Sequence, residues 1–136
     1  MDGTAPPRAQ RFEELIAWQK ARALTQRIYE CTNEPRFARD VGLSVQLQRS
    51  AVSVMSNSAE GFDRASLGEF HPFLATAKAS CAEVRSHLCV ALDVGYISND
   101  SFEVLRAATD ELSRVIGGLL ASVQRRRTRA NGRKGP

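Results

Sequence analysis

The stretch that decides the fold is residues 67–91, LGEFHPFLATAKASCAEVRSHLCVA. Apolar residues recur there every three or four positions, the spacing that places side chains on one face of an α-helix. Ser66 and Glu69 have the spacing of a capping box, which predicts the helix start, and Gly95 suits its end. Pro72 predicts either a kink or a regular helix that starts near His71. The apolar stripe consists of Leu67, Phe70, Leu74, Ala77, Cys81, Val84, Leu88 and Ala91.

Three further segments have helical periodicity. The first runs from about Arg8 to Cys31, the second from between residues 36 and 41 to Gly61, and the last from residues 98–100 to about Gln124. No strand-like alternation competes with them. Four long helices with short connections predict an all-α protein, an antiparallel up-down-up-down four-helix bundle. The core face predicted for the second helix is Val41, Val45, Gln48, Val52, Met55, Ala59 and Phe62.

A row of polar residues follows the other side of this second helix. Solvated helix faces usually carry long charged side chains, because serine and asparagine are mediocre helix formers. We therefore expect the row to form hydrogen bonds with another helix, at Ser80 and Glu83, which would fix the helix register. Binding of a nucleic-acid backbone or a small ligand, and simple solvation, are the alternatives. The row consists of Gln46, Arg49, Ser53, Asn57 and Glu60.

Helices one and three each carry a second, surplus stripe. On the third helix this stripe is made of small residues, which let another helix approach closely. A single bundle needs about one apolar stripe per helix, so surplus stripes predict subunit contacts. The predicted interface residues are Trp18, Tyr29, Ala75, Ala79, Ala82 and Ser86.

Charge divides the chain into a body and a tail. Residues 125–136 carry six of the 19 basic residues and no acidic one, which leaves 13 basic and 15 acidic residues in the remainder. We expect a flexible N-terminus at 1–10, a bundle at 11–124 and a disordered basic tail at 125–136. Such a tail binds phosphates without sequence preference, or merely aids solubility. Its basic residues are Arg125, Arg126, Arg127, Arg129, Arg133 and Lys134.

Several classes of function find no support in the sequence. It has no apolar run long enough to span a membrane and no secretory signal. Its three cysteines, an odd number, argue against a disulfide framework. We therefore expect a cytoplasmic protein. Glu83 and His87 stand four residues apart, but they do not repeat the Glu-x-x-His spacing of di-iron bundles. We expect no catalytic residue, metal, cofactor, membrane partner or small-molecule substrate.

Several short motifs together resemble one bacterial family of four-helix bundles. They begin with Phe12-Glu13-Glu14-Leu15 and Trp18-Gln19-Lys20-Ala21, and continue with Asn57-Ser58-Ala59-Glu60-Gly61 and Gly95-Tyr96-Ile97. The sequence is similar over residues 12–120 to the ribosomal-RNA intervening-sequence proteins. It is more distantly similar to the accessory proteins of diversity-generating retroelements. Pro72, Ala79 where glycine is common, and the acidic body depart from these patterns.

The resemblance implies a ring of five bundles and no established enzymatic activity. We therefore expect a non-catalytic homo-oligomer that acts as a scaffold or as a nucleic-acid-associated accessory protein. The alternative is a dedicated RNA- or DNA-binding protein that acts through the basic tail and the ring surface.

Overall fold

The computed structural model describes residues 9–64 and 66–133, and the regular elements in this part of the chain are all helices. A 3-10 turn (Phe12–Glu14) precedes five α-helices: α1 (Ile16–Thr32), α2 (Pro35–Arg39), α3 (Val41–Asp63), α4 (Leu67–Asp93) and α5 (Asn99–Arg133). The four long helices contact one another in the cyclic order α1, α3, α4, α5. The predicted all-α helical bundle is confirmed, with α2 as an additional short helix.

The helix ends follow the local sequence. Ser66 Oγ accepts a hydrogen bond from the Glu69 amide at 3.2 Å, as the capping box predicts. Gly95 ends α4 with a φ of +80°, while the Tyr96 amide donates back to the Ala91 carbonyl at 2.8 Å. Only glycine adopts this left-handed conformation without strain. The predicted later start of this helix near His71 is wrong, because α4 begins at Leu67 and includes Pro72.

The first helix also begins elsewhere than predicted. Leu15 has an extended backbone, with φ −69° and ψ 127°, and this residue separates the 3-10 turn from α1. Helix α1 therefore starts at Ile16 rather than near Arg8, which lies outside the described residues. The N-terminal segment predicted to be flexible, residues 1–10, lies outside the described part except for its last two residues.

Side-chain contacts give the directions of neighbouring helices. Ser50 of α3 lies near His87 of α4, whereas Gly61, at the other end of α3, packs against Phe70. Helices α3 and α4 therefore run in opposite directions. The carboxylate of Asp110 on α5 contacts Arg85 of α4 at 3.3 Å and so holds these two helices together.

The core confirms the predicted α4 stripe and corrects the face predicted for α3. The α4 stripe is buried from Phe70 to Ala91, and Leu105, Thr109, Leu112, Ile116 and Val123 of α5 are buried in the same core. On α3 the predicted core face is wrong in part: Val41 and Val52 are 64% and 38% exposed, whereas Met55 and Phe62 are partly buried against the core. Leu47, Ala51, Val54, Ser58 and Gly61 are the buried residues of this helix. The small residues among them let the neighbouring helices approach α3 closely.

Helix α5 also corrects the prediction for the C-terminus. It continues beyond Gln124 to Arg133, so residues 125–133 are helical rather than disordered, and Lys134 lies outside the described residues. Arginine and alanine are good helix formers, and no proline lies between Pro72 and Pro136. None of the described helices is long and apolar enough to cross a membrane.

Candidate functional site: a polar cleft between α3 and α4

The predicted polar row of α3 opens onto a cleft that α4 closes on the other side. The cleft has a volume of about 330 Å³. Every residue that lines it is polar, which is unusual for a seam between two amphipathic helices. The lining residues are Gln46, Arg49, Ser50, Ser53, Ser80, Glu83 and His87.

Hydrogen bonds between serines form the floor of this cleft. Ser53 Oγ and Ser80 Oγ lie 2.8 Å apart and share a hydrogen bond between the helices. Asn57 Nδ2 donates to Ser53 Oγ at 3.0 Å and to the Ser53 carbonyl at 2.9 Å. Of the predicted network, the structure therefore brings together Ser53, Asn57 and Ser80. Because Ser80 is buried, this contact helps to set the register of α3 against α4.

Ser50 joins Glu83 and His87 one turn away. Its Oγ lies 2.9 Å from the Gln46 carbonyl, 3.3 Å from Glu83 Oε2 and 3.5 Å from His87 Nδ1. The sequence interpretation omitted Ser50, which lies on the edge of the buried face of α3. Its spacing of three residues before Ser53 is the signal that could have identified it.

Three side chains of the predicted row do not join the network, because Gln46 takes part only through its backbone carbonyl. Arg49 and Glu60 are exposed, and neither forms an ion pair with another described residue. Arg49 lines the cleft, whereas Glu60 does not. Within residues 9–64 and 66–133, no three histidine, cysteine or acidic side chains gather in a group that could hold a metal ion.

The residues predicted at a subunit interface lie on the bundle surface. Ala75, Ala79, Ala82 and Ser86 are all exposed on α4. Tyr29 is 41% exposed on α1. Trp18 is half-buried, with its ring edge-on to Phe12 at 5.3 Å between centroids and the Arg22 guanidinium 5.6 Å from its centroid.

The described basic residues of the C-terminus lie on the last turns of α5, which ends at Arg133. Arg125 and Arg129 are exposed and stand one helical turn apart, while Arg126 and Arg127 are half-buried. Arg127 Nη1 lies 3.5 Å from Gln124 Oε1, and Arg133 is the last residue of the helix. No acidic residue occurs after Glu111, so this end of α5 is uniformly positive.

The cysteines have no arrangement that would favour nucleophilic chemistry. Burial raises the pKa of the Cys81 thiol to about 11, and burial is also the largest cause that raises the pKa of Cys31 to about 11. The reactive thiolate of either residue is therefore scarce at neutral pH. Cys89 is exposed on α4.

The fold and the cleft define a class: a small all-helical bundle with a polar seam and unburied apolar and small-residue surfaces. Within that class, the chain belongs to the 23S rRNA-intervening sequence protein family, whose sequence pattern matches residues 13–118. No curated protein matches the sequence.

A solved structure supports the fold. It is a protein of unknown function from the S23 ribosomal protein family of Bacteroides thetaiotaomicron VPI-5482, with a TM-score of 0.72. The sequences are 19% identical, and the similarity covers 77% of this chain and 98% of that protein. At this identity the likeness concerns the fold.

Proposed function

We propose that this protein is a non-catalytic bundle that assembles into a ring of five copies and serves as a scaffold or a nucleic-acid-associated accessory protein. The observation that carries the proposal is a pair of exposed surfaces on different sides of the bundle. One presents large apolar side chains from α1 and α3, and the other presents small side chains from α4. The family resemblance supports five as the number of copies.

The apolar face consists of Tyr29, Val41 and Val52, which are 41%, 64% and 38% exposed. Gln48 Nε2 donates to Thr32 Oγ1 at 2.9 Å across the seam between α1 and α3. Tyr29 and Val52 each stand about one helical turn from this bond, so they flank the same seam. Full burial of a large apolar side chain stabilises by about 1.5–3 kcal/mol, so covering this face favours association.

The small-residue face consists of Ala75, Ala79, Ala82 and Ser86. Their spacing of three or four residues places them along one side of α4, and their size lets another helix approach closely. The cyclic order of the helices puts the α1/α3 pair opposite the α4/α5 pair. A contact between the apolar face of one copy and the small-residue face of the next is therefore head-to-tail, and such contacts generate rings when the rotation closes.

This arrangement includes an up-down-up-down order of the four long helices. It is supported by the opposite directions of α3 and α4 and by their short connection, residues 64–66. The same order accounts for the ion pair in which Lys20 Nζ of α1 lies 2.7 Å from Glu111 Oε1 of α5.

The experiment measures the mass of the purified protein by light scattering coupled to gel filtration. The wild type is expected as a pentamer, and Val52→Arg on the apolar face and Ala82→Arg on the small-residue face are expected as monomers. Ala107→Arg is the matched control, because Ala107 is exposed on α5 outside both faces. It is expected to leave the pentamer intact.

Mixing the two monomeric variants distinguishes head-to-tail contacts from symmetric ones. Each variant retains the face that the other has lost, so the mixture is expected to form a dimer of one copy of each and nothing larger. If either variant alone forms a dimer, the remaining face binds itself and the head-to-tail proposal is wrong. A monomeric wild type at micromolar concentration would refute the assembly altogether.

A second candidate function, nucleic-acid binding, is favoured by the basic end of α5. Arg125 and Arg129 project from an exposed helix in a segment without acidic residues. Arginine binds phosphate through bidentate hydrogen bonds, and the segment has no aromatic residue on which bases could stack. The expected binding is therefore to the phosphate backbone, without sequence preference.

This candidate is tested by the salt dependence of affinity for a double-stranded RNA. The Arg125→Gln/Arg129→Gln variant removes up to two phosphate contacts per copy. The negative slope of log K against log salt is therefore expected to become shallower by about 1.8. Arg39→Gln/Arg114→Gln is the control, since both arginines are exposed elsewhere. An unchanged slope in the first variant would contradict a role for this helix.

A further inference from the structure

The cleft between α3 and α4 plays no part in either proposed role. We propose that it binds a small zwitterion of the amino-acid type. The carboxylate would lie at Arg49 and the Ser53–Ser80 pair, and the ammonium at Glu83. The proposal rests on an uneven distribution of hydrogen-bond donors and acceptors along the cleft.

One end of the cleft has more donors than the protein uses. The amide nitrogen of Asn57 can only donate, so Ser53 Oγ accepts its hydrogen bond at 3.0 Å. Ser53 and Ser80 share one further bond at 2.8 Å, which uses one of their two hydroxyl protons. Among the described residues the other proton has no acceptor, so it is available to a ligand on the floor of the cleft.

Arg49 adds a charged donor at the same end. It precedes Ser53 by four residues on α3, so both lie on one side of that helix. Its guanidinium carries five N–H donors and makes no ion pair or side-chain hydrogen bond within residues 9–64 and 66–133. A carboxylate is the group that such a donor binds most strongly, often through two parallel bonds.

The other end of the cleft has more acceptors than donors. Ser50 has a single hydroxyl proton, and two acceptors lie near its oxygen: the Gln46 carbonyl at 2.9 Å and Glu83 Oε2 at 3.3 Å. His87 Nδ1, at 3.5 Å, donates or accepts according to its tautomer. The nearest acceptor is the Gln46 carbonyl. The exposed carboxylate of Glu83 therefore retains capacity to accept from a cationic donor.

The composition of the lining excludes other classes of ligand. With no aliphatic residue in the lining, the cleft lacks the apolar surface that most drug-sized ligands require, and the imidazole of His87 is the one ring among its lining residues. The Glu83 carboxylate repels a free phosphate. Arg49 and Glu83 are more than 4.0 Å apart, so each charge remains available to the oppositely charged end of a ligand.

Isothermal titration calorimetry on the full-length protein tests the proposal, with glycine, L-serine and L-glutamine as probes. At least one of them is expected to bind with a Kd of about 1 mM or tighter. Ethanolamine, which lacks the carboxylate, and lactate, which lacks the ammonium, are expected to bind more weakly by about tenfold or more. Absence of binding by all three amino acids, equal binding of either analogue, or binding of inorganic phosphate in their place would overturn the proposal.

Two pairs of variants locate the ligand. Arg49→Gln and Glu83→Gln are expected to weaken binding by about tenfold or more, because each removes one of the charges. Both side chains are exposed, so the variants are expected to fold, and circular dichroism checks this. Arg114→Gln and Glu60→Gln change exposed residues outside the cleft and are expected to leave the affinity unchanged. Equal losses in all four variants would also overturn the proposed site.

Discussion

Replacing Gly61 by alanine tests how closely α3 and α4 pack. A Cβ atom at this position would lie 2.7 Å from Phe73 Cβ and 2.9 Å from Phe70 Cδ1. The Phe70 ring atom can move when its side chain rotates, but Phe73 Cβ is attached directly to the backbone of α4. The two helices must therefore separate by several tenths of an ångström before the methyl group fits.

The magnitude follows from two opposing effects. Overpacking a well-packed core typically costs 1–3 kcal/mol. A clash that involves the backbone is expected to cost about 3 kcal/mol, because a backbone cannot move aside as a side chain can. Alanine is about 1 kcal/mol more favourable than glycine inside a helix. We expect Gly61→Ala to lower the free energy of unfolding by about 2 kcal/mol.

Urea denaturation followed by circular dichroism measures this change, and Gly118→Ala is the matched control. Gly118 lies in α5, and a Cβ there would meet no atom within 4 Å, so the same substitution is expected to stabilise by about 1 kcal/mol. Protein concentration is kept constant because self-association adds to apparent stability. If Gly61→Ala stabilises as much as Gly118→Ala does, the close packing at Gly61 is refuted.

Three further predictions concern single groups. Cys81, whose pKa burial raises to about 11, is expected to react with iodoacetamide only after unfolding, whereas exposed Cys89 reacts in the folded protein, as mass spectrometry would measure. The hydrogen bond from Lys20 lowers the pKa of Glu111, so this contact stabilises the fold at pH values above the pKa of an unfolded glutamate. The stabilisation is lost as the pH falls through the lower pKa that Glu111 has in the folded protein. An NMR titration of Lys20→Gln should find the pKa of Glu111 raised, and an unchanged pKa would contradict the pairing. Asp40→Ala removes the cap that accepts from the Leu43 amide at 3.1 Å and also the acceptor of the Tyr96 hydroxyl at 3.0 Å, so the cap is isolated in a Tyr96→Phe background. There, thermal or urea unfolding should detect a loss of about 1 kcal/mol, and no loss would mean that this cap contributes nothing.

The sequence predicts the core face of α4 well because most of the large apolar residues of this helix form a single stripe. Helix α3 has apolar residues on two sides, and periodicity alone does not say which of them faces the core. The predicted face includes Val41 and Val52, whereas the buried side carries Leu47 and Val54 together with small residues such as Ala51. Because both sides carry aliphatic residues, residue type alone does not decide between them.

The candidate site could be predicted in part. The row of small polar residues correctly indicates a contact between helices at Ser53 and Ser80. Short side chains at a seam reach only the groups directly opposite them, so their partners can be predicted. Arg49 and Glu60 could not be placed this way, since long exposed side chains reach many positions from one backbone site. Ser50 was missed because it stands beside the buried face rather than within the polar row.

The basic C-terminus was misjudged for a different reason. Its composition resembles that of disordered tails, and an isolated segment of this length would not form a stable helix in water. It follows a helix already held by the core residues Ile116 and Val123, however. Extending an existing helix avoids the cost of nucleation, so residues 125–133 continue α5.

The two proposed functions become linked if the ring forms, and this link can be tested. Rotation about the axis of a ring places equivalent residues of every copy at the same height, so the basic ends of α5 would lie around one circle and bind a nucleic acid together. Ala82→Arg is expected to break the ring while it adds one positive charge to each copy. Its direct electrostatic effect is to strengthen binding to RNA, whereas loss of the ring weakens binding by removing avidity. A gel-shift affinity lower than that of the wild type would therefore support joint binding by several copies, and an equal or higher affinity would mean that each α5 end acts alone.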